Sequence, residues 1–322
     1  MIPVIPDDMW RGIETELADS DLASAVTLKR CSSSLKKLAT KPVADAVERT
    51  NAKWRDAAAR VSGGCRIRGA ASVDWIRAKI RRGLKRSEVL TTLNLSGNGI
   101  GSADAAAIAE ALRGNVALKS LHISSNRLGH EGATAIANAL KGNRVLKTLD
   151  LSNNQIRAEG AAGAAIAEAL RGNAVLKKLY LRGNNIGDAG AVAIADALRV
   201  DAVLTTLVLG MNKIGDEGAK ALASALRVNG VLKNIHLRDN SLGTEGWCAI
   251  FAALRDNKEN KIESWDLSRQ GIDVEVAKVL AEYVSGSAVL KSINLKSNKL
   301  GDEGKGAIRD AVSGRVGFEL LM

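Results

Sequence analysis

Residues 90–98, LTTLNLSGN, decide the fold of this 322-residue chain, because the pattern returns as LKSLHISSN at 118–126, LKTLDLSNN at 146–154, LKKLYLRGN at 176–184, LTTLVLGMN at 204–212 and LKSINLKSN at 290–298. The lead positions Leu90, Leu118, Leu146, Leu176, Leu204, Leu232, Ile262 and Leu290 lie 28 or 30 residues apart, which gives eight copies. A fixed period of this size marks stacked supersecondary units. In L-x-L the apolar positions alternate with a polar one, so a short strand is predicted with Leu93 and Leu95 inward and Asn94 outward. The segment that follows, as in GATAIANAL at 132–140, changes to a period of about 3.6 and places Ile136, Ala137 and Leu140 on one helix face.

Each strand is followed by an asparagine (Asn98, Asn126, Asn154, Asn184, Asn212, Asn240, Asn298), whose amide can satisfy backbone groups of a tight turn and of the neighbouring copy. Gln270 is the departure. Glycine pairs such as Gly215 and Gly218 mark the turn into each helix, and Ala-rich faces let neighbouring helices stack closely. One unit cannot bury its apolar face alone, so the copies must stack into a solenoid with one parallel sheet and an outer layer of helices. On these motifs residues 90–322 resemble the ribonuclease-inhibitor subtype of leucine-rich repeat. The expected fold class is α/β: a leucine-rich repeat horseshoe with a parallel concave sheet, outer helices and a small all-α head. The resemblance implies protein binding on the curved face. The same subtype includes the sensor region of NOD-like receptors and the Ran GTPase-activating protein, so a small-GTPase regulator or a sensor fragment is the alternative.

Outward from the strand centres runs the row Asn94, His122, Asp150, Tyr180, Val208, His236, Asp266 and Asn294. In the first three copies this surface is small and bland. From the fourth to the seventh it carries Tyr180, Arg182, Met211, His236, Arg238, Asp266 and Arg269, the mixture of aromatic and arginine side chains that protein contacts favour. These seven are the candidate partner-binding residues. Lys119, Lys147, Lys177, Lys233 and Lys291 recur one residue after the lead position, and read as a solvated rim that discourages edge association or as an anion-binding strip. His122 and His236 stand four strands apart, roughly 19 Å, too far to share a metal.

The departures from the period are informative. Two extra residues in AEGAAGAAIAEAL are expected to extend the start of the third helix, and two more lengthen the polar return loop at 255–261. Trp265 replaces a leucine at an inward position, which predicts a core residue. The closing VGFELLM is expected to begin one more strand, with Phe318 and Leu321 covering the last open face.

Ahead of the array, residues 1–40 read as two or three short helices: Pro6 and two acids suit a helix start, Ile13 and Leu17 lie one turn apart, and Leu22, Ala25, Leu28 and Leu35 form an apolar stripe. This segment resembles an F-box, with Ser32 and Glu14 departing from the usual pattern. The resemblance implies that Pro6, Ile13, Leu17, Leu22 and Leu28 dock on the adaptor of a cullin-type ubiquitin ligase while the repeats hold a substrate. The plain alternative is a helical cap. Such a head argues against the GTPase-activator reading. Residues 41–89 read as a basic helical connector and cap, in which GGCRIRG breaks a helix and ASVDWIRAKIRRGLKRSEVL looks like the helical half of a missing repeat.

Composition narrows the function classes. The formal net charge is +11, yet residues 29–86 alone hold 17 Lys or Arg against four acids, so the basic excess belongs to the connector. Without a stacking pattern of aromatics, an RNP sequence or zinc spacing, nucleic acid is disfavoured. Three scattered cysteines are too few for a disulfide framework and the N-terminus lacks a signal-peptide pattern, so a cytoplasmic or nuclear location is expected. No apolar run of about 18 residues exists to span a membrane. No phosphate loop, H-E-x-x-H, C-x-x-C or G-x-S-x-G occurs, so neither catalytic residues, metal nor cofactor is expected. The expectation is a protein-binding scaffold, monomeric apart from its partners.

Overall fold

The computed structural model describes residues 65–66, 91–157 and 161–322. The F-box-like positions Pro6, Ile13, Leu17, Leu22 and Leu28, and the lead residue Leu90, lie outside the described residues. Strands and helices alternate in chain order. The strands are β1 Cys65–Arg66, β2 Thr92–Asn94, β3 Ser120–His122, β4 Thr148–Asp150, β5 Lys178–Tyr180, β6 Thr206–Val208, β7 Asn234–His236, β8 Ser264–Asp266, β9 Ser292–Asn294 and β10 Glu319–Leu321. After β2 the helices are α1 Ser102–Arg113, α2 Gly129–Leu140, α3 Ala161–Gly172, α4 Gly187–Leu198, α5 Asp216–Leu226, α6 Thr244–Asp256, α7 Val274–Gly286 and α8 Gly301–Val312. All paired strands are parallel, β1 to β7 in one sheet and β8 to β10 in a second. This is an α/β leucine-rich repeat solenoid. Strands hydrogen-bond about 4.8 Å apart while helices pack about 8–10 Å apart, so the sheet takes the inner, concave side.

The register follows the repeat. Leu93, Leu121, Leu149, Leu179, Leu207 and Ile235 stack in one inward column, each no more than 2% exposed. Ile136, Ala137 and Leu140 close the core from the helix side, as the periodicity predicts. Close helix packing needs glycine at the start of α5: a Cβ on Gly218 would stand 2.6 Å from Asp188 Oδ1 and 3.0 Å from the Ala191 methyl. That carboxylate is itself a cap from the preceding unit, accepting the N–H groups of Gly215 at 2.7 Å and Gly218 at 2.9 Å at the start of α5.

The asparagines form a ladder through the turns. Asn212 Nδ2 donates to the carbonyls of Leu181, Leu209 and Gly210, and its Oδ1 accepts the N–H groups of Asn184 and Ile186. A second ladder, absent from the sequence reading, lies where helices return to strands. Asn143, Asn173, Asn229 and Asn257 each donate to the carbonyl of the leucine near the preceding helix end, at 2.7–2.8 Å. The signal was in the sequence as an asparagine three residues before the lead leucine in successive copies. At the C-terminal end Arg315 takes this place, donating to the Val284 and Leu290 carbonyls and lying 4.6 Å from the Phe318 ring.

Asp201 occupies the same ladder and has no amide to donate. It is buried, and desolvation pushes its carboxyl above the ordinary value, against the N–H groups of Leu204 and Val203, which lower it. A raised folded-state pKa contributes stability that is fully present below the unfolded value, about 3.9, and is lost as pH rises through the folded value. Asp201→Asn supplies the missing donor and removes the titration. It is expected to stabilise the fold by about 1 kcal/mol at pH 7 and by less at pH 3.5, measured by urea unfolding at the two pH values. An equal gain at both would contradict the assignment.

Several expectations are corrected. The connector supplies a strand as well as any helix: β1 pairs Cys65 with Leu93 and Arg66 with Asn94, 28 residues on, so the period starts one unit earlier than the lead leucines show. The expected extension at the start of the third helix falls on residues 158–160, outside the described residues; from Ala161 onward α3 runs 12 residues. At the C-terminal end Leu320, not Leu321, falls in the inward column, paired with Ile293. Leu320 and Phe318 pack on the core, while Leu321 pairs with the outward Asn294.

The sheet parts between β7 and β8, where three irregularities of the sixth and seventh copies coincide. Gln270, one methylene longer than asparagine, accepts from Asp239 N–H at 3.1 Å and donates to Ser268 O, and makes no bond to the sixth copy's Leu237 carbonyl. The long return loop splits the second ladder's work between Asn257 and Asn260. The interior is filled with rings: Trp247 stacks on Phe251 at 5.6 Å, Trp265 meets Phe251 edge-on at 5.6 Å, and Phe251 stacks on Tyr283 at 6.2 Å. Trp265 is a core residue, 3% exposed, as its inward position predicts.

Candidate functional site

Strand alternation turns the middle side chain of each L-x-L unit onto the concave face, and the parallel register brings equivalent positions side by side. Tyr180 pairs with Val208 and Val208 with His236, so the phenol and the imidazole flank one small side chain across three strands. Tyr180 is half-buried and His236 exposed. Although the residue as a whole is exposed, partial desolvation of its ring holds the His236 imidazole below its ordinary value, with the Asp266 carboxylate pulling the other way.

One row further along each strand, Arg182 crosses a whole repeat. Its guanidinium reaches Asp239 at 3.1 Å by passing over Gly210, where a Cβ would meet Arg182 Nη1 at 3.5 Å and the Arg238 carbonyl at 2.9 Å. It also contacts Met211 Sδ at 2.9 Å. Asp239 in turn lies 3.6 Å from Arg238 Nε, and Arg238 Nη1 lies 3.6 Å from Asp266. The result is a charge-balanced chain, Arg182–Asp239–Arg238–Asp266. For Asp266, desolvation works to raise the carboxyl, yet the Ser268 hydroxyl and N–H, Arg238 and His236 together hold it below its ordinary value.

The distances within this chain matter. At 3.6 Å neither contact of Arg238 is a hydrogen bond, and its Nε is buried with no acceptor among the described residues. The guanidinium is oriented by two carboxylates but its donor fork is unfilled. Such partly exposed ion pairs contribute about 0–1 kcal/mol each to stability, so the cluster does little for the fold.

The structure thus brings together Tyr180, Arg182, Met211, His236, Arg238 and Asp266. Arg269 is exposed, in the left-handed turn after β8 with φ 57°, the place Met211 takes after β6 with φ 56°. No ion pair of Arg269 forms among the described residues. Sequence reasoning missed Asp239, which links the two arginines, because it lies outside the L-x-L pattern in the positive-φ turn position. It also missed Lys178, an outward residue in register with Thr148 and Thr206. In the bland half, His122 Nδ1 is 3.8 Å from Asp150. Among the described residues no cluster of His, Cys, Asp or Glu is placed to hold a metal ion, and no helix is long and apolar enough to cross a membrane. Burial pushes the Cys248 thiol up to about 11, helped by Glu275 and Asp273, so it is protonated at neutral pH.

A curved parallel sheet bearing this cluster on its inner face defines a repeat solenoid of the protein-interaction class. Residues 86–109, 114–137, 142–163, 172–195, 201–223 and 286–308 match the family described as Leucine Rich repeat, so the array is built of leucine-rich repeats. No curated protein sequence matches the chain. Among solved structures, it is similar to the actin-binding site 2 of leiomodin-1, with 20% identity over 57% of this chain and 88% of that one and a TM-score of 0.35. It is also similar to the tropomodulin C-terminal domain of Caenorhabditis elegans, with 13% identity over 58% of this chain and 93% of that one and a TM-score of 0.38.

Proposed function

We propose that this protein is a binding scaffold whose concave face, at Tyr180, Arg182, Met211, His236, Arg238, Asp266 and Arg269, recognises another protein. The observation that carries the reading is the guanidinium of Arg238, which lies 3.6 Å from both Asp239 and Asp266 without a hydrogen bond to either, on the same face as the phenol of Tyr180 two strands away. An oriented arginine with donors to offer and a ring on the same face is what an incoming carboxylate or carbonyl needs for a strong contact. The helices of 11–13 residues in each described unit support the ribonuclease-inhibitor subtype. The F-box-like pattern at Pro6, Ile13, Leu17, Leu22 and Leu28 favours a substrate receptor of a cullin-type ligase as the setting for this scaffold.

Affinity capture with the whole chain, with partners identified and titrated, tests both levels. Tyr180→Ala with Arg238→Ala is expected to weaken capture at least about tenfold, a hot-spot loss, with the melting temperature changed by no more than about 2 °C. Asn94→Ala with Ser96→Ala is expected to leave capture intact, and equal losses from both pairs would place the site elsewhere. Absence of a cullin-ligase adaptor among the captured proteins would sink the ligase setting and leave the scaffold reading standing.

A further inference from the structure

One residue after each lead position the backbone steps regularly from unit to unit: the Lys147 N–H donates to the Lys119 carbonyl at 2.8 Å, and the Lys177 N–H to the Lys147 carbonyl at 2.8 Å. Lys119, Lys147 and Lys177 therefore stand in line on successive strands, about 4.8 Å apart at the backbone. All three are exposed, as is Lys178 beside them. Further along the same line stand Thr205, Lys233, Glu263 and Lys291, and there one carboxylate offsets part of the lysine charge. Glu263 meets Lys291 at 2.8 Å and Lys233 at 3.2 Å, and Lys291 foremost, then Lys233, holds its carboxyl below the ordinary value. Lys119, Lys147, Lys177 and Lys178 have no carboxylate within 4.0 Å among the described residues. At one structural position the lysines of one half of the array thus share a carboxylate, while those of the other half are aligned ammonium groups with no carboxylate partner among the described residues.

We propose that this lysine line, with Lys178 and Tyr180 beside it, holds an acidic segment of the partner protein, extending the concave site of the preceding section. The inference rests on the concave-face reading. Aligned like charges raise the local potential and draw carboxylates to this edge, accelerating encounter. A flat anionic membrane cannot follow the inside of a curved sheet. Single-stranded nucleic acid binds through rows of stacking rings, and Tyr180 is the one phenyl-type ring turned outward on the described strands. Lysines acting as point charges, with a single ring, suit flexible Asp and Glu side chains.

The test uses the full chain, a labelled oligo-glutamate peptide as the acidic probe, and a single-stranded oligonucleotide of matched charge, compared by fluorescence anisotropy in moderate salt. Lys119→Glu with Lys147→Glu and Lys177→Glu is expected to weaken peptide binding at least about tenfold, with an unchanged melting curve showing that the fold survives. Glu263→Gln, which releases Lys233 and Lys291, is expected to strengthen binding. Peptide affinity unmoved by the triple change, or an oligonucleotide held more tightly through the same lysines, overturns the proposal. Partner capture that is lost in Arg238→Ala but indifferent to the lysines would defeat this inference while sparing the concave site, whereas the reverse pattern would defeat only the site at Arg238.

Discussion

Phe251→Ala is expected to destabilise the protein by about 3–5 kcal/mol and to split its unfolding into two steps. Phe251 is fully buried and touches Trp247, Trp265 and Tyr283, so truncation opens a ring-sized void that three rigid neighbours cannot collapse to fill. Location sharpens the effect. In a solenoid each unit is held by its neighbours, so total stability is a sum of unit and interface contributions. Between the sixth and seventh units the regular strand pairing gives way to a few single contacts, among them Asp239 N–H to Gln270, so the aromatic cluster carries a larger share of the packing there. Weakening it should let the last units melt before the first six. Urea unfolding followed by tryptophan fluorescence, in a background with Trp10, Trp54 and Trp75 changed to Phe so that Trp247 and Trp265 report, and by circular dichroism, which reports the whole, should then diverge. Coincident transitions in the variant would show that the interface does not depend on the rings.

Asn212→Ala should cost about 3 kcal/mol or more in chemical denaturation. Its side chain is fully buried, donates to three carbonyls and accepts two N–H groups, and alanine would strand all of them out of reach of water. Asn98→Ala is the internal control. Asn98 makes one described side-chain bond, to Ser96 O at 3.2 Å, and its Oδ1 has no partner among the described residues, so the loss there should be about 1 kcal/mol. Equal losses at the two positions would mean that the ladder acts through turn conformation and not through its hydrogen bonds.

Much of the architecture was legible in the residues. The 28-residue spacing, the change from period 2 to period 3.6 and the asparagine after each strand predict strand, turn and helix, and these appear in each unit with Leu93 and Leu95 inward. What misled the reading was always local. The strand at Cys65–Arg66 was read as a helix break because CRIR lacks leucine, although it keeps the 28-residue distance to Leu93. Leu321 was preferred to Leu320 because a terminal strand without a following asparagine gives no anchor for register, and a shift of one residue exchanges the faces.

The candidate site was legible in part. Rows of outward residues could be written down from alternation alone, and six of the seven named residues do gather on one stretch of the concave face. The bridging Asp239 could not, because it sits in a left-handed turn outside the strand pattern and meets Arg182 only because Gly210 leaves a path over the intervening unit. The charge state of the lysine line was likewise hidden. The sequence repeats lysine at five equivalent positions, and only the placement of Glu263 between two of them separates a paired half from an unpaired one.

The sequence by itself determined the unit and its stacking, because burial and backbone satisfaction in a solenoid depend on residues a fixed distance apart and so write themselves as a period. The tertiary structure alone decided which charges meet, which guanidinium is left with donors to offer and where the sheet parts. Those depend on side chains from units 28 to 57 residues away crossing between strands, and on a single methylene or glycine at the crossing point. Periodicity carries no record of such contacts.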